Sequence, residues 1–219
     1  MSLGRLWNRY VMHRRRWWVP LSLVLSIGVA SMLYMGVRTY DDAPPIADFV
    51  DEKGRTQVAA DAIVRGQAVF LKYGLMNYGS FFGDGAGRGP DFTADALHGV
   101  AIALRDHYAS RDGVDADSAL ATAQRTIRRN RYDESTNIVR IDDAQAYAAR
   151  ELQRLVLARF RGEGSEPFHP AGWISDDDEL RDLAAFFFWG AWVCGAQRPG
   201  HDYTYTHNWP YDELAGNRP

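Results

Sequence analysis

The longest apolar stretch of the chain lies near its N-terminus. Residues 17–37 form a run of 21 residues without a charged side chain, about the length that crosses the roughly 30 Å hydrocarbon core of a bilayer. Five arginines precede the run, and Arg38, Asp41 and Asp42 follow it. Because the basic flank of such a helix stays in the cytoplasm, the pattern predicts a cytoplasmic tail over 1–16, a transmembrane helix over 17–37 and export of the rest.

A cleaved signal peptide is the competing interpretation, since it begins with the same basic flank. The apolar run is longer than the usual 7 to 15 residues of a signal peptide, and no clear Ala-x-Ala cleavage motif follows it. Under either interpretation the globular part lies outside the cytoplasm. With an uncleaved anchor, we expect a bacterial inner-membrane protein with a cytoplasmic N-terminus and a periplasmic domain.

Helical spacing of apolar residues dominates the exported part. It predicts helices over 58–76 and, with Thr93 as the N-cap, over 93–112. Three more helices are predicted, over 116–130, 144–160 and 175–195. The second of these begins after a cap at Asp142 or Asp143 and ends at Gly162. The third begins with Ser175 and three aspartates.

The connecting segments complete the predicted organisation. Alternation within residues 132–141 indicates a short hairpin, and Pro44-Pro45 indicates a stiff linker. The predicted fold class is mainly α, with one N-terminal transmembrane helix followed by a helical domain. The predicted order is a tail over 1–16, the membrane helix over 17–37, a linker over 38–57, the domain over 58–197 and an extended tail over 198–219.

The last predicted helix carries an unusually aromatic run, Leu183–Val193. It is too short to span a membrane and is typical of a buried core helix. Its aromatic content also allows a second interpretation, in which part of the face docks on a membrane or a protein. The predicted docking residues are Phe186, Phe187, Phe188, Trp189 and Trp192 on this helix and Asn208, Trp209 and Pro210 in the tail.

The amino-acid composition excludes several classes of partner and of site. The net charge of −3 gives no basic excess, so nucleic acid is not an expected partner. A single cysteine, Cys194, excludes a disulfide within the chain and a four-cysteine zinc site. No exported histidine, His169 included, pairs with another at helical metal-ligand spacing, and no G-x-S-x-G motif occurs. We therefore predict no catalytic residues in this chain; the basic run over 125–131 is predicted to be solvated or close to anionic groups.

Residues 72–87, KYGLMNYGSFFGDGAG, keep the frame of a haem-attachment segment without its chemistry. Covalent haem c needs Cys-x-x-Cys-His, whereas this frame holds Leu75, Tyr78 and Gly79. None of the five methionines lies after Met76, so the usual distal methionine ligand is missing too. We expect Leu75 and Tyr78 to fill the vacated space, because an empty cavity would destabilise the domain.

Four segments together resemble one family. They are residues 66–98, 168–192 and 198–217, the last with Asn-Trp-Pro at 208–210, and the N-terminal anchor. The chain resembles the N-terminal part of the quinol-dependent, single-subunit nitric-oxide reductase over nearly its whole length, residues 111–165 being the least distinctive.

The resemblance implies a cytochrome-c-like domain without haem c, fused ahead of a membrane-embedded catalytic subunit. The downstream part would hold a haem b, a high-spin haem b paired with a non-haem iron, and possible calcium, and would reduce two NO to N2O and water with electrons from quinol. In two-subunit relatives, a loop carbonyl equivalent to that of Gly87 helps to hold the calcium. The alternative is a free-standing single-span accessory protein that docks on a respiratory complex.

Overall fold

A computed structural model describes residues 4–5, 17–112, 115–163 and 172–217. It divides the chain into two units, Met1–Ala43 and Pro44–Pro219. Nearly all of the predicted cytoplasmic tail lies outside the described residues. Over the described residues the chain is mainly helical, as the sequence predicts.

The first unit contains one long apolar helix, α1, over Trp18–Asp41. Its mean hydropathy is 1.8 and none of its residues is buried within the chain. It is the one described helix that is long and apolar enough to cross a membrane, although a signal sequence meets the same criteria. The helix extends beyond the predicted end at residue 37, and Arg38 pairs with Asp42 one turn later at 3.2 Å. This helix indicates membrane anchoring.

The second unit begins with strands where a linker is predicted. Strands β1 (Asp48–Val50) and β2 (Thr56–Val58) pair antiparallel, and β1 also pairs in parallel with β6 (Ile138–Arg140). With β5 (Tyr132–Asp133) they form a four-stranded sheet in the order β2-β1-β6-β5. The predicted linker over 38–57 is therefore wrong at both ends, because α1 continues to Asp41 and the backbone is hydrogen-bonded within the sheet from Asp48. The predicted hairpin within 132–141 is confirmed as β5 and β6.

Five helices build the body of the second unit, connected by the sheet and by a two-stranded hairpin. They are α2 (Ala60–Lys72), α3 (Phe92–Asp112), α4 (Ala116–Arg128), α5 (Asp143–Arg161) and α6 (Asp177–Gly195). The hairpin joins β3 (Ser80–Phe81) to β4 (Asp84–Gly85) between α2 and α3.

Capping residues explain several helix boundaries. Asp142 and Gln145 form a reciprocal capping box at the start of α5, and Gly162 ends that helix with φ 82°, as predicted. One predicted cap is wrong. Asp91, not Thr93, accepts the backbone N–H groups at the start of α3, because Thr93 lies inside the first turn and its own N–H is one of the groups that need an acceptor. At the start of α6, Asp176 is the cap among Ser175 and the three aspartates predicted there, and carboxylates favour the positive helix end.

Helix α6 is the centre of the core. Every residue from Leu183 to Gly195 is buried, which is the pattern of a helix that is covered on all sides. Helices α2, α3 and α5 pack around it, and the sheet adds Phe49, whose ring lies edge-on to Phe188 and Trp192 at 5.3 and 5.6 Å. The indole N–H of Trp189 donates to the carbonyl oxygen of Pro45 at 2.9 Å.

The crossing of α2 and α6 depends on Gly66. A Cβ atom at this position would lie 2.0 Å from the carbonyl oxygen of Asp182 in α6, and beside it the guanidinium of Arg65 binds the Asp182 carboxylate at 2.8 and 3.0 Å. We expect Gly66→Ala to lower the free energy of unfolding of the full chain in detergent by about 3 kcal/mol, because the backbone oxygen cannot yield without moving the helix.

The matched control is Gly99→Ala in α3. There a Cβ would meet only ordinary contacts, 3.7 and 3.8 Å from the methyl carbons of Leu152 and Leu155. Because alanine has the higher helix propensity, we expect this variant to gain up to about 1 kcal/mol in the same urea titration. Equal responses of the two variants would contradict the close crossing.

Candidate functional site

The haem-attachment frame lies in the connection between α2 and α3. Helix α2 ends at Lys72, and Gly74 adopts a left-handed conformation with φ 58° that starts a 3-10 turn over Leu75–Asn77. The hairpin follows at once, with Gly83 and Gly85 at φ 83° and 139°. The glycines of this loop thus form tight turns with positive φ, a conformation that glycine adopts without steric cost.

Two of the three frame positions carry side chains that are packed against the domain. The Leu75 side chain is completely buried. Tyr78 is half-buried, and its ring lies against that of Trp173, with 4.8 Å between the centroids. The Trp173 ring also contacts Tyr73 at 5.7 Å. Leu75 and Tyr78 are thus packed against the rest of the domain, and that they fill the space of a lost haem remains a prediction.

The third position, Gly79, has no room for any side chain. A Cβ there would lie 2.3 Å from the carbonyl oxygen of Pro90 and 2.8 Å from the Phe92 ring. Gly89, on the facing segment, also has no room for a side chain, since a Cβ there would lie 1.7 Å from the carbonyl oxygen of Tyr78. The two backbone segments therefore lie too close together for a histidine at residue 79.

Phenylalanine rings fill the space between this segment and α6. Phe81 stacks on Phe186 at 4.3 Å, and Phe92 stacks on Phe187 at 5.2 Å. Phe70 lies within 6.2 Å of these four rings. The cavity that borders Phe92 and Phe187 measures about 50 Å³, which is far too small for a porphyrin.

This packing corrects the docking prediction for α6. The five predicted docking residues of α6 are Phe186, Phe187, Phe188, Trp189 and Trp192. Their side chains are only 4% to 8% exposed. Their faces are covered by side chains from α2, the hairpin, α3 and the sheet. The aromatic content of α6 is therefore explained by its central position in the core, and these side chains present no docking surface.

Asp91 organises the loop, a role that the sequence prediction did not include. Its carboxylate accepts hydrogen bonds from the Ser80 hydroxyl at 2.7 Å, from the N–H of Gly83 at 2.9 Å and from two N–H groups at the start of α3. The Thr93 hydroxyl also donates to it. An aspartate directly before a predicted helix is the signal that identifies such a cap.

A charged contact fixes the end of α2 to α6. The Glu179 carboxylate accepts a hydrogen bond from the Tyr73 hydroxyl at 2.7 Å and pairs with the ammonium group of Lys72. Hydrogen bonds from Lys72, the larger effect, and from Tyr73 hold the pKa of Glu179 below its ordinary value. The same contact with Glu179 raises the pKa of Tyr73. The contact stabilises the position of the residues that lead into the haem-attachment frame.

Of the three predicted docking residues in the tail, one is exposed. The Trp209 side chain is 41% exposed and lies against the hairpin, where a Cβ on Gly83 would be 3.3 Å from the indole. Asn208 is half-buried and Pro210 is buried. Their carbonyl oxygens accept from the Asn217 amide at 3.5 and 2.6 Å, so both residues serve the internal structure of the tail.

Comparison with known proteins identifies the domain. The family model of the nitric oxide reductase NorB cytochrome c-like domain matches residues 46–211, well over half of the chain. The chain belongs to this family. No curated protein matches it. The cytochrome c-like domain thus forms the second unit, in the N-terminal region of nitric oxide reductase, an oxidoreductase.

The residues of the haem-attachment frame do not fit covalent haem c. Residues 75 and 78 are not cysteines, and Cys194, the single thiol of the sequence, is buried in α6, where burial raises its pKa to about 12. A histidine cannot enter at Gly79, and aromatic rings occupy the adjoining volume. His169, the histidine nearest in sequence to the position of a distal ligand, lies outside the described residues.

The predicted calcium contact at Gly87 remains a prediction. Gly87 is exposed on the loop, and a Cβ there would meet no atom within 4 Å. The loop is anchored because the N–H of Ala86 donates to the carbonyl oxygens of Met76 and Gly79 at 2.9 Å each. Among the described residues, no group of three or more histidine, cysteine, aspartate or glutamate side chains is placed to hold a metal ion.

Proposed function

We propose that this chain is the anchor and haem-free cytochrome-c-like domain of a quinol-dependent nitric oxide reductase. Its domain would be periplasmic and would cover the membrane-embedded catalytic part. There the two haems b and the non-haem iron would reduce two NO to N2O and water. This domain would contribute packing and no electron transfer.

One observation carries the proposal: the haem-attachment frame is closed at Gly79. A functional haem-c domain needs an axial histidine directly after the second thioether. Here the backbone of Pro90 occupies the place of the side chain, 2.3 Å from an ideal Cβ. The frame lacks both the thiols and the room for an axial histidine, and these two observations support a structural role for the domain. Electrons would then reach the catalytic part from quinol.

The surface that would meet the catalytic part lies at the hairpin and the tail. Trp209 is exposed there, and the loop over 83–89 beside it carries an exposed backbone, including the carbonyl of Gly87. A partly exposed tryptophan next to a rigid loop is a typical interface anchor. We therefore propose that Trp209 and this loop, and not α6, form the docking surface. Gly87 would offer its backbone oxygen to calcium.

The test uses membranes that contain the native polypeptide. We expect NO consumption with a reduced quinol as the electron donor and none with reduced soluble cytochrome c. Because haem c stays covalently attached after denaturation, we also expect no haem stain at the band recognised by an antibody to residues 111–165, while a cytochrome c lane stains. A stained band, or turnover with cytochrome c alone, would contradict the proposal.

A further inference from the structure

A basic groove opens on the side of the domain at the C-terminal end of α4. It measures about 650 Å³ and is lined by Ala121, Gln124, Arg125, Arg128, Arg129, Gln197 and Gly216. Three of these residues are arginines within five positions of the sequence. Neither the haem-attachment frame nor the docking surface at Trp209 contributes a lining residue.

The three arginines lack acidic partners among the residues that the structure describes. Arg125 donates to the Thr122 hydroxyl at 2.9 Å, and Arg128 donates to the carbonyl oxygen of Asp202 at 2.9 Å. The Arg129 side chain is exposed and makes no hydrogen bond or ion pair within this part of the chain. Both acceptors are neutral, so none of the three guanidinium groups forms an ion pair with a carboxylate within the described residues.

This arrangement differs from that of arginines elsewhere in the domain. Arg65, Arg159 and Arg161 each bind a carboxylate at 2.8 Å or less. In the groove, the nearby acidic residues Asp202 and Glu213 contribute backbone carbonyl oxygens to hydrogen bonds. A concentration of unpaired guanidinium groups in one concave surface raises the local positive potential.

The walls of the groove are held in place. The Gln124 amide donates to the carbonyl oxygen of Glu213 at 2.9 Å, which fixes the tail to α4. The N–H of Gln197 donates to the carbonyl oxygen of Arg128 at 3.0 Å. The N–H of Arg129 donates to the carbonyl oxygen of Arg125 at 3.1 Å. These bonds satisfy the carbonyl oxygens of Arg125 and Arg128, which are two of the last four in α4.

We propose that this groove binds a phosphate group. Guanidinium groups match phosphate oxygens with paired N–H donors, and three of them around an open groove suit an anion with several oxygens better than a single carboxylate. The phosphate could be free in solution or belong to the headgroup of an anionic lipid, since the chain also carries an apolar helix of membrane-spanning length.

The experiment uses the full chain in a phosphate-free sugar detergent. In one arm, inorganic phosphate replaces chloride at constant ionic strength. In the other arm, phosphatidylglycerol is added, with phosphatidylcholine of the same acyl chains as the comparator. The readout is the midpoint of thermal unfolding as a function of ligand concentration, which yields an apparent Kd. We expect a saturable rise in at least one arm.

Two triple variants of equal charge isolate the groove. R125Q/R128Q/R129Q should weaken binding at least about tenfold, because it removes several charge-assisted hydrogen bonds. R88Q/R140Q/R150Q removes three arginines that lie outside the groove lining, and it should bind like the parent protein. Should the first triple variant fail to fold, Arg129→Gln serves alone, since its side chain has no partner to lose among the described residues.

The outcomes separate the sources of the phosphate. A shift with inorganic phosphate identifies a site for the free anion, whereas a shift with phosphatidylglycerol alone identifies a lipid headgroup site. No saturable shift in either arm would overturn the proposal, as would equal weakening in the two triple variants. The proposal does not depend on the electron donor of the reductase.

Discussion

Gly79→His is expected to unfold the cytochrome c-like domain or to lower its free energy of unfolding by more than about 3 kcal/mol. Even the first side-chain carbon would lie 2.3 Å from the carbonyl oxygen of Pro90 and 2.8 Å from the Phe92 ring. Overpacking against side chains alone costs about 1–3 kcal/mol, and here the obstacle is backbone held by the Asp91 network. Urea unfolding of the full chain in detergent, followed by near-UV circular dichroism, measures the loss.

Gly87→His is the control for this variant. It introduces the same side chain eight residues later, at an exposed position where a Cβ meets no atom within 4 Å. We expect its stability to stay within about 0.5 kcal/mol of the parent protein, as is usual for surface substitutions. If Gly79→His were as stable as Gly87→His, the frame would be open to a histidine and the main support for a haem-free domain would be lost.

Phe187→Ala should destabilise the domain by about 4 kcal/mol, within the range for a buried phenylalanine. The ring is 4% exposed, stacks on Phe92 at 5.2 Å and lies 6.2 Å from Phe70 and from Phe81. Its removal would leave a cavity in the centre of the aromatic cluster. The same urea titration gives the change in the free energy of unfolding.

This variant also separates the two interpretations of the aromatic helix. A docking residue would leave the stability of the free chain unchanged when truncated, whereas a core residue lowers it. Leu71→Ala provides the comparison, because the Leu71 side chain is 65% exposed at the end of α2 and should change stability by less than about 0.5 kcal/mol. A Phe187→Ala protein as stable as Leu71→Ala would restore the docking interpretation of α6.

Locally determined features were predictable from the sequence. The capping box of Asp142 and Gln145 and the left-handed Gly162 place both ends of α5, because each depends on residues a few positions apart. The long apolar run likewise indicates α1 without any knowledge of the rest of the chain. The absence of a Cys-x-x-Cys-His motif from the frame at Leu75, Tyr78 and Gly79 is read directly from the sequence.

Features that depend on distant partners were not predictable. Strand β1 has three residues, and it becomes a strand because Phe49 pairs with Val139 far along the chain; nothing in the local pattern around Pro44-Pro45 indicates this. The role of Phe187 depends on Phe70, Phe81 and Phe92, which approach it through tertiary packing. The closure at Gly79 requires the neighbouring segment at Pro90, and a glycine alone does not reveal what faces it.

The central position of α6 has a consequence for the biosynthesis of the protein. Because this helix is the last of the domain to be synthesised, the apolar faces of α2, α3 and α5 remain without their common partner until about residue 195 has been made. Nascent chains that stop earlier would expose those faces and would be prone to aggregation. The domain should therefore acquire resistance to protease in a single late step, and truncated chains lacking α6 should depend on chaperones to stay soluble.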